Sequence, residues 1–227
     1  MSTENASSPG ENRSSPIPGC VILVAILIVF GGLVVLYTVV GLYQNRTINE
    51  FTQDAAAEIP VATPSAEEVS AVQEKLEGIR KAVEEEKVER FVFSAADLNA
   101  LIATEPDLED FRGQTYIERI SPQGIVARMA QPMRKGIFDK GVRYLNATFV
   151  LQPELRARTL AFKVVDIRPV VGKAPEGFVK NYATLDFFRL DPELEAIKNH
   201  IRAIAAVYAE GGQIVVETKI PDLQPVE

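Results

Sequence analysis

One cysteine, one histidine and no basic surplus leave this chain of 227 residues few routes to chemistry. The lone Cys20 excludes any disulfide within the chain and any thiolate metal cage. The lone His200 is the single imidazole that could serve a serine or threonine nucleophile, and it reads as a surface or helix-end residue. A G-x-S-x-G elbow, a Walker loop, a G-x-G-x-x-G turn and an H-E-x-x-H pair are all missing, so serine hydrolases, nucleotide binders and zincins lose their sequence support. With 24 Lys and Arg against 31 Asp and Glu, the net charge is −7, and the basic footprint of a general nucleic-acid binder is missing too. No catalytic residue, cofactor site or metal site is assigned, and an enzyme is not the expected class.

The most informative absence is of charge between Arg13 and Arg46. Within that gap Cys20 to Tyr43 reads CVILVAILIVFGGLVVLYTVVGLY, apolar on every side apart from Thr38 and three glycines. At 1.5 Å per residue it covers about 36 Å, against a hydrocarbon core of about 30 Å. A buried core helix would keep a polar face, and a cleaved signal peptide has an apolar core of only about 7 to 15 residues. The segment 19–43 is therefore expected to be an uncleaved transmembrane helix, making the protein a single-pass membrane protein through residues 20–43. The Lys and Arg count on its flanks is tied at Arg13 and Arg46; the free amino terminus tips the reading to N-terminus in and domain on the extracytoplasmic side. Cys20, at the edge of the span, reads as a small apolar filler, with S-acylation or a bridge between two copies as alternatives.

Composition divides the rest. Residues 1–18, rich in Ser, Asn, Pro and Glu, read as a disordered tail. Residues 44–65 read as a polar tether, with Ile48 to Ala57 able to extend the helix; fully extended, the tether could hold a domain about 70 Å from the bilayer. Residues 66–227 form one domain of ordinary size, large enough to bury a core unaided. Sequons at Asn5, Asn12, Asn45 and Asn146 read as accidental, Asn146 because it falls inside an expected strand.

Periodicity then sets the domain's class. Ser65 with Glu68, in capping-box spacing, opens a helix carrying Val69, Val72, Leu76, Ile79 and Val83 at 3,4 intervals. That seam either packs on the domain's own sheet, the preferred reading, or pairs two copies as a weak homodimer through helix 66–84. A short strand at Arg90 to Phe93 precedes a second helix start at Ser94 and Asp97. Three hairpins are expected: Thr115 to Ile120 with Ile125 to Gln131, Tyr144 to Leu151 with Thr159 to Ile167, and Ile204 to Ala209 with Gln213 to Thr218. The apolar phase slips after Val164, which points to a bulge or a local twist near there. A helical region from Glu176 to about Leu190 and a short helix reaching about His200 complete the pattern. The fold class is α+β: one transmembrane helix followed by a mainly antiparallel sheet with helices packed on it.

The candidate contact residues are basic. Arg128, Arg134, Lys135, Lys140 and Arg143 fall in one strand-loop-strand connection in which Asp139 is the sole acid, beside Ile137 and Phe138. Such a loop either grips an anionic surface such as lipid headgroups or is simply solvated. The acids Glu105, Asp107, Glu109 and Asp110 fit no calcium loop and read as solvated.

Three stretches carry a resemblance: Phe93-Ser94-Ala95-Ala96-Asp97-Leu98-Asn99-Ala100-Leu101, Tyr144-Leu145-Asn146 and Gly172-Lys173-Ala174-Pro175. Over roughly residues 90–219 the chain resembles small single-pass bacterial envelope proteins of the uncharacterised YpmS-like type, from which its longer tether and its helix at 66–84 depart. The resemblance implies a bacterial envelope setting, no known enzyme activity and no transferable site residues. The expected function is a membrane-anchored, non-catalytic binding module for an envelope protein, lipid or glycan. The alternatives are a lipid-handling domain with an apolar groove lined by Phe149, Phe162, Phe187 and Phe188, and an enzyme without a recognisable motif.

Overall fold

The computed structural model describes residues 17–135, 141–156, 159–184 and 203–219. The expected tail lies outside them except for Ile17 and Pro18, which open the first helix. Outside them too lie the helical region beyond Thr184 and the short helix reaching His200.

Helix α1 runs Ile17–Phe51, and from Val21 onward it is long and apolar enough to cross a membrane. Its apolar stretch is not buried within the chain: Ile28, Phe30 and Val35 are each more than 60% exposed. A core helix would hide such side chains against its own fold, so their exposure calls for another apolar medium. No helix breaker stands between Gln44 and Phe51, and the helix carries on past its apolar run to Phe51.

Helix α2 runs Ala66–Glu84, and at its start the Ser65 hydroxyl accepts from the Glu68 amide and the Glu68 carboxylate accepts from the Ser65 amide. Its 3,4 seam is used within the chain. Val72 is 1% exposed, Leu76 and Ile79 pack on the core, and Gly78 allows close approach of Phe91, since a Cβ there would lie 2.7 Å from that ring. Strand β1, Arg90–Phe93, leads to α3, Ala95–Thr104, which repeats the capping box with Ser94 and Asp97. A 3-10 turn at Pro106–Phe111 follows, where the acids Asp107, Glu109 and Asp110 are solvated.

The three expected hairpins form. Strands β2, Thr115–Ser121, and β3, Gly124–Arg134, pair antiparallel, and β3 pairs with β4, Val142–Arg156, from Ile125↔Leu151 to Arg134↔Val142. Strand β5, Thr159–Pro169, returns along β4 with a register skip from Val150↔Asp166 to Leu151↔Val164. Val165 is the extra residue, one place from where the phase slip put the bulge. Helix α4, Glu176–Thr184, packs on β5, and β6, Ile204–Glu210, with β7, Gln213–Thr218, closes the described chain.

Among the described residues the strands form two antiparallel sheets, β2-β3-β4-β5 and β1-β7-β6. Alternate residues of β3 and β4, including Ala127, Met129, Leu145 and Phe149, turn to one face, and each is at most 1% exposed. They share one core with Phe93 of β1, Val207 of β6 and Ile214 of β7, so the two sheets bury a common interior. The class is the expected α+β; Phe149 is built into that core, and Phe162, half-buried, packs against it.

Candidate functional site

The sequence reading and the structure part company at residues 44–65. A polar stretch of this length reads as a free tether, yet Phe51 and Thr52 are each 2% exposed and Ile59 is 5% exposed. The cause is the sheet edge. Strand β5 stops beside β4 at the pair Ala147↔Pro169, which leaves the first residues of β4 without a neighbour on that side. Gln53 fills the place. Its amide donates to the Tyr144 carbonyl at 2.9 Å, and the Tyr144 amide donates back to the Gln53 carbonyl at 2.7 Å.

Two side chains of β4 lock this pairing. Arg143 donates from Nε to the Thr52 hydroxyl at 2.7 Å, from one terminal nitrogen to the Thr52 carbonyl at 2.6 Å, and from the other to the Asp54 carboxylate at 2.5 Å. The planar guanidinium fork suits three acceptors at once, and burying the charge is tolerable because each of its three nitrogens donates to one of them, a carboxylate included. Asn146, 3% exposed, donates to Gln53 Oε1 at 2.6 Å and to the Ala55 carbonyl at 3.0 Å, and accepts from the Ala57 amide at 2.8 Å. The Asn146 sequon is thus buried with its amide engaged on both sides.

The helix end is held as firmly. The Phe51 ring lies 4.8 Å from the Phe178 ring of α4 in a tilted arrangement. Gly172, at φ +67°, backs onto the Glu50 carbonyl, where a Cβ would collide with the oxygen; only glycine allows both that backbone conformation and that contact. Toward its C-terminal end α1 loses exposure, with Asn45, Thr47 and Ile48 half-buried and Phe51 and Thr52 buried.

This geometry corrects the reading of Arg143 as a surface contact: it is 9% exposed and committed to Thr52 and Asp54. Arg128 is paired with Glu118, Nε to carboxylate 3.1 Å. Arg134 is exposed at the end of β3, and Lys135 beyond it is half-buried, its amide donating to the Gly141 carbonyl at 2.9 Å. Lys140, Ile137 and Phe138 lie outside the described residues, as do Phe187 and Phe188 of the expected groove. Arg143 thus leaves the basic group, while Arg128 and Arg134, an even number of residues apart on β3, share its outward face. Among the described residues no three His, Cys, Asp or Glu side chains come together.

Thr52, Gln53 and Asn146 are the site residues that sequence reasoning missed. The signal for Asn146 was a polar residue in an alternating strand; for Thr52 and Gln53 there was none.

One further polar cluster ties the domain together. Lys75 of α2 donates to Asp97 at 2.7 Å and sits 5.6 Å from the centroid of the Phe93 ring. Burial works against the charged form of Asp97, but the bonds from Lys75 and Ser94 together outweigh it and hold the carboxyl below its ordinary range.

Set against family models, curated proteins and solved structures, the chain matches none.

Proposed function

We propose that this chain is a single-pass, membrane-anchored, non-catalytic module of the cell envelope that holds its α+β domain in a fixed geometry directly on the bilayer, for binding an envelope protein, lipid or glycan. The observation that supports it most is the junction. A domain meant to roam would keep the polar stretch after the helix free, whereas here Phe51, Thr52 and Gln53 are built into the core and the sheet edge. Fixing these residues costs conformational entropy, about 1–2 kcal/mol for each backbone ordered, which the clasp bonds and the burial of Phe51 offset. That cost is wasted if the helix serves only as an address. The domain is assigned to the extracytoplasmic side: Arg13 and Arg46 balance each other across the helix, and the free amino terminus adds its charge to the short N-terminal side.

The test is extraction and topology of the full chain. Membranes washed with alkaline carbonate should retain the protein, and protease added to intact spheroplasts should remove the domain while leaving the helix behind. Release by carbonate would overturn the anchor, and protection of the domain until lysis would overturn the assigned side.

A further inference from the structure

Resting on the anchored reading above, we infer that Val170, Val171 and Lys173 form a second membrane contact, seated among the lipid headgroups of the leaflet from which α1 emerges. Three observations lead there.

The first is reach. At 1.5 Å per residue, about 10 Å of helix separates Tyr43, the last residue of the apolar run, from Glu50, while a headgroup layer is about 5 to 8 Å thick on each side. The domain has little room to stand off.

The second is where the hold on α1 begins. Asn45, Thr47 and Ile48 are half-buried, and from Glu50 to Gln53 the chain is fastened to the loop at Gly172, to Phe178 and to Tyr144. A bilayer that accepts the apolar run therefore ends within about two helical turns of the domain's fastening point.

The third is the chemistry of the loop beside the helix. Gly172 rests on the Glu50 carbonyl, so its neighbours flank the last turn of α1. Val170 is 68% exposed and Val171 45%, two adjacent branched aliphatic side chains turned to solvent next to a membrane helix. Lys173 is exposed and has no ion-pair partner among the described residues. The nearby acids are occupied: Glu50 lies 3.8 Å from Arg46, and Glu176 pairs with Lys180 at 2.8 Å. Aliphatic side chains with an adjacent ammonium form the pattern by which a surface element settles at the boundary of headgroup and acyl chain, the lysine reaching for phosphate. Here α1 supplies the main anchor and the loop needs to add only a local seat.

The experiment uses the full chain with Cys20→Ser, reconstituted in vesicles of phosphatidylcholine containing phosphatidylglycerol. A spin label is placed singly at Phe30→Cys in the apolar run, at Val171→Cys, or at Val88→Cys in the exposed α2–β1 connection. The accessibility of each label to oxygen and to a water-soluble nickel chelate is then compared. The label at 171 should show an oxygen-to-nickel ratio between those at 30 and 88, placing it at headgroup depth. A ratio at 171 equal to that at 88, with 30 in lipid, overturns the seat and leaves the anchor standing. A label at 30 that reports water overturns the anchored reading and the seat with it.

Discussion

The Arg143 guanidinium holds the Thr52 carbonyl at 2.6 Å and the Thr52 hydroxyl at 2.7 Å across 91 residues of sequence. Thr52 is the first residue beyond α1, and its hydroxyl also donates to the Ile48 carbonyl inside that helix at 2.6 Å. One side chain of the sheet is thereby connected through a hydroxyl to the last turn of the helix.

Arg143→Ala should loosen the junction before it unfolds the domain. Loss of the fork leaves the buried Thr52 carbonyl without a partner, at a cost of about 1–3 kcal/mol. Hydrogen exchange on the full chain in detergent should show the Gln53 and Ala57 amides losing protection while the β3–β4 amides keep theirs. Arg143→Lys should restore little, since an ammonium cannot reproduce the three-way planar fork.

Gly172→Ala should cost more than Gly211→Ala, although both glycines have positive φ. At Gly211 a Cβ meets nothing within 4 Å, leaving only the left-handed backbone cost of about 1–2 kcal/mol. At Gly172 the same cost is joined by collision with the Glu50 carbonyl. Urea unfolding of the two variants compares them directly, and equal midpoints would mean that the helix end is not pressed on this loop.

Acid should weaken the link between α2 and α3. The Asp97 carboxyl titrates in the folded chain below its ordinary value of 3.8, so its bonds stabilise the fold at neutral pH. That contribution is lost as pH falls through the lowered folded value. Asp97→Asn should flatten the acid limb of the stability profile below about pH 4. Ser94→Ala should lower stability by about 1 kcal/mol and reduce that slope in part, since it removes the hydroxyl bond to Asp97 and keeps the Ser94 amide bond.

Phe149→Ala distinguishes a core from a groove. A side chain 1% exposed in close packing costs about 3–5 kcal/mol on truncation, whereas a ring lining an empty apolar groove costs far less. Thermal unfolding of the ligand-free chain reads the difference.

Much of the domain was legible because its determinants are local. Both capping boxes sit within four residues, the turns at Ser121 to Gly124 and Glu210 to Gly212 mark their hairpins, and the phase slip at Val164 shows the bulge by itself. The junction was not legible because nothing local announces it. Thr52 and Gln53 are too few and too polar to show a strand pattern, and their partner is an edge that exists only because β5 ends at Pro169. Arg143 was misplaced for a related reason: β4 begins at Val142 rather than Tyr144, which draws that arginine out of the loop and into the sheet.

A helix locked into its domain also transmits angle. Each residue of an α-helix turns about 100° around the axis, so inserting a single residue between Tyr43 and Glu50 would swing the whole domain by that amount over the bilayer plane. In the native chain the direction in which the paired Arg90 and Glu210 of the smaller sheet point is tied to the direction in which Phe30 and Leu33 point from α1. Whatever turns the helix aims the domain with it.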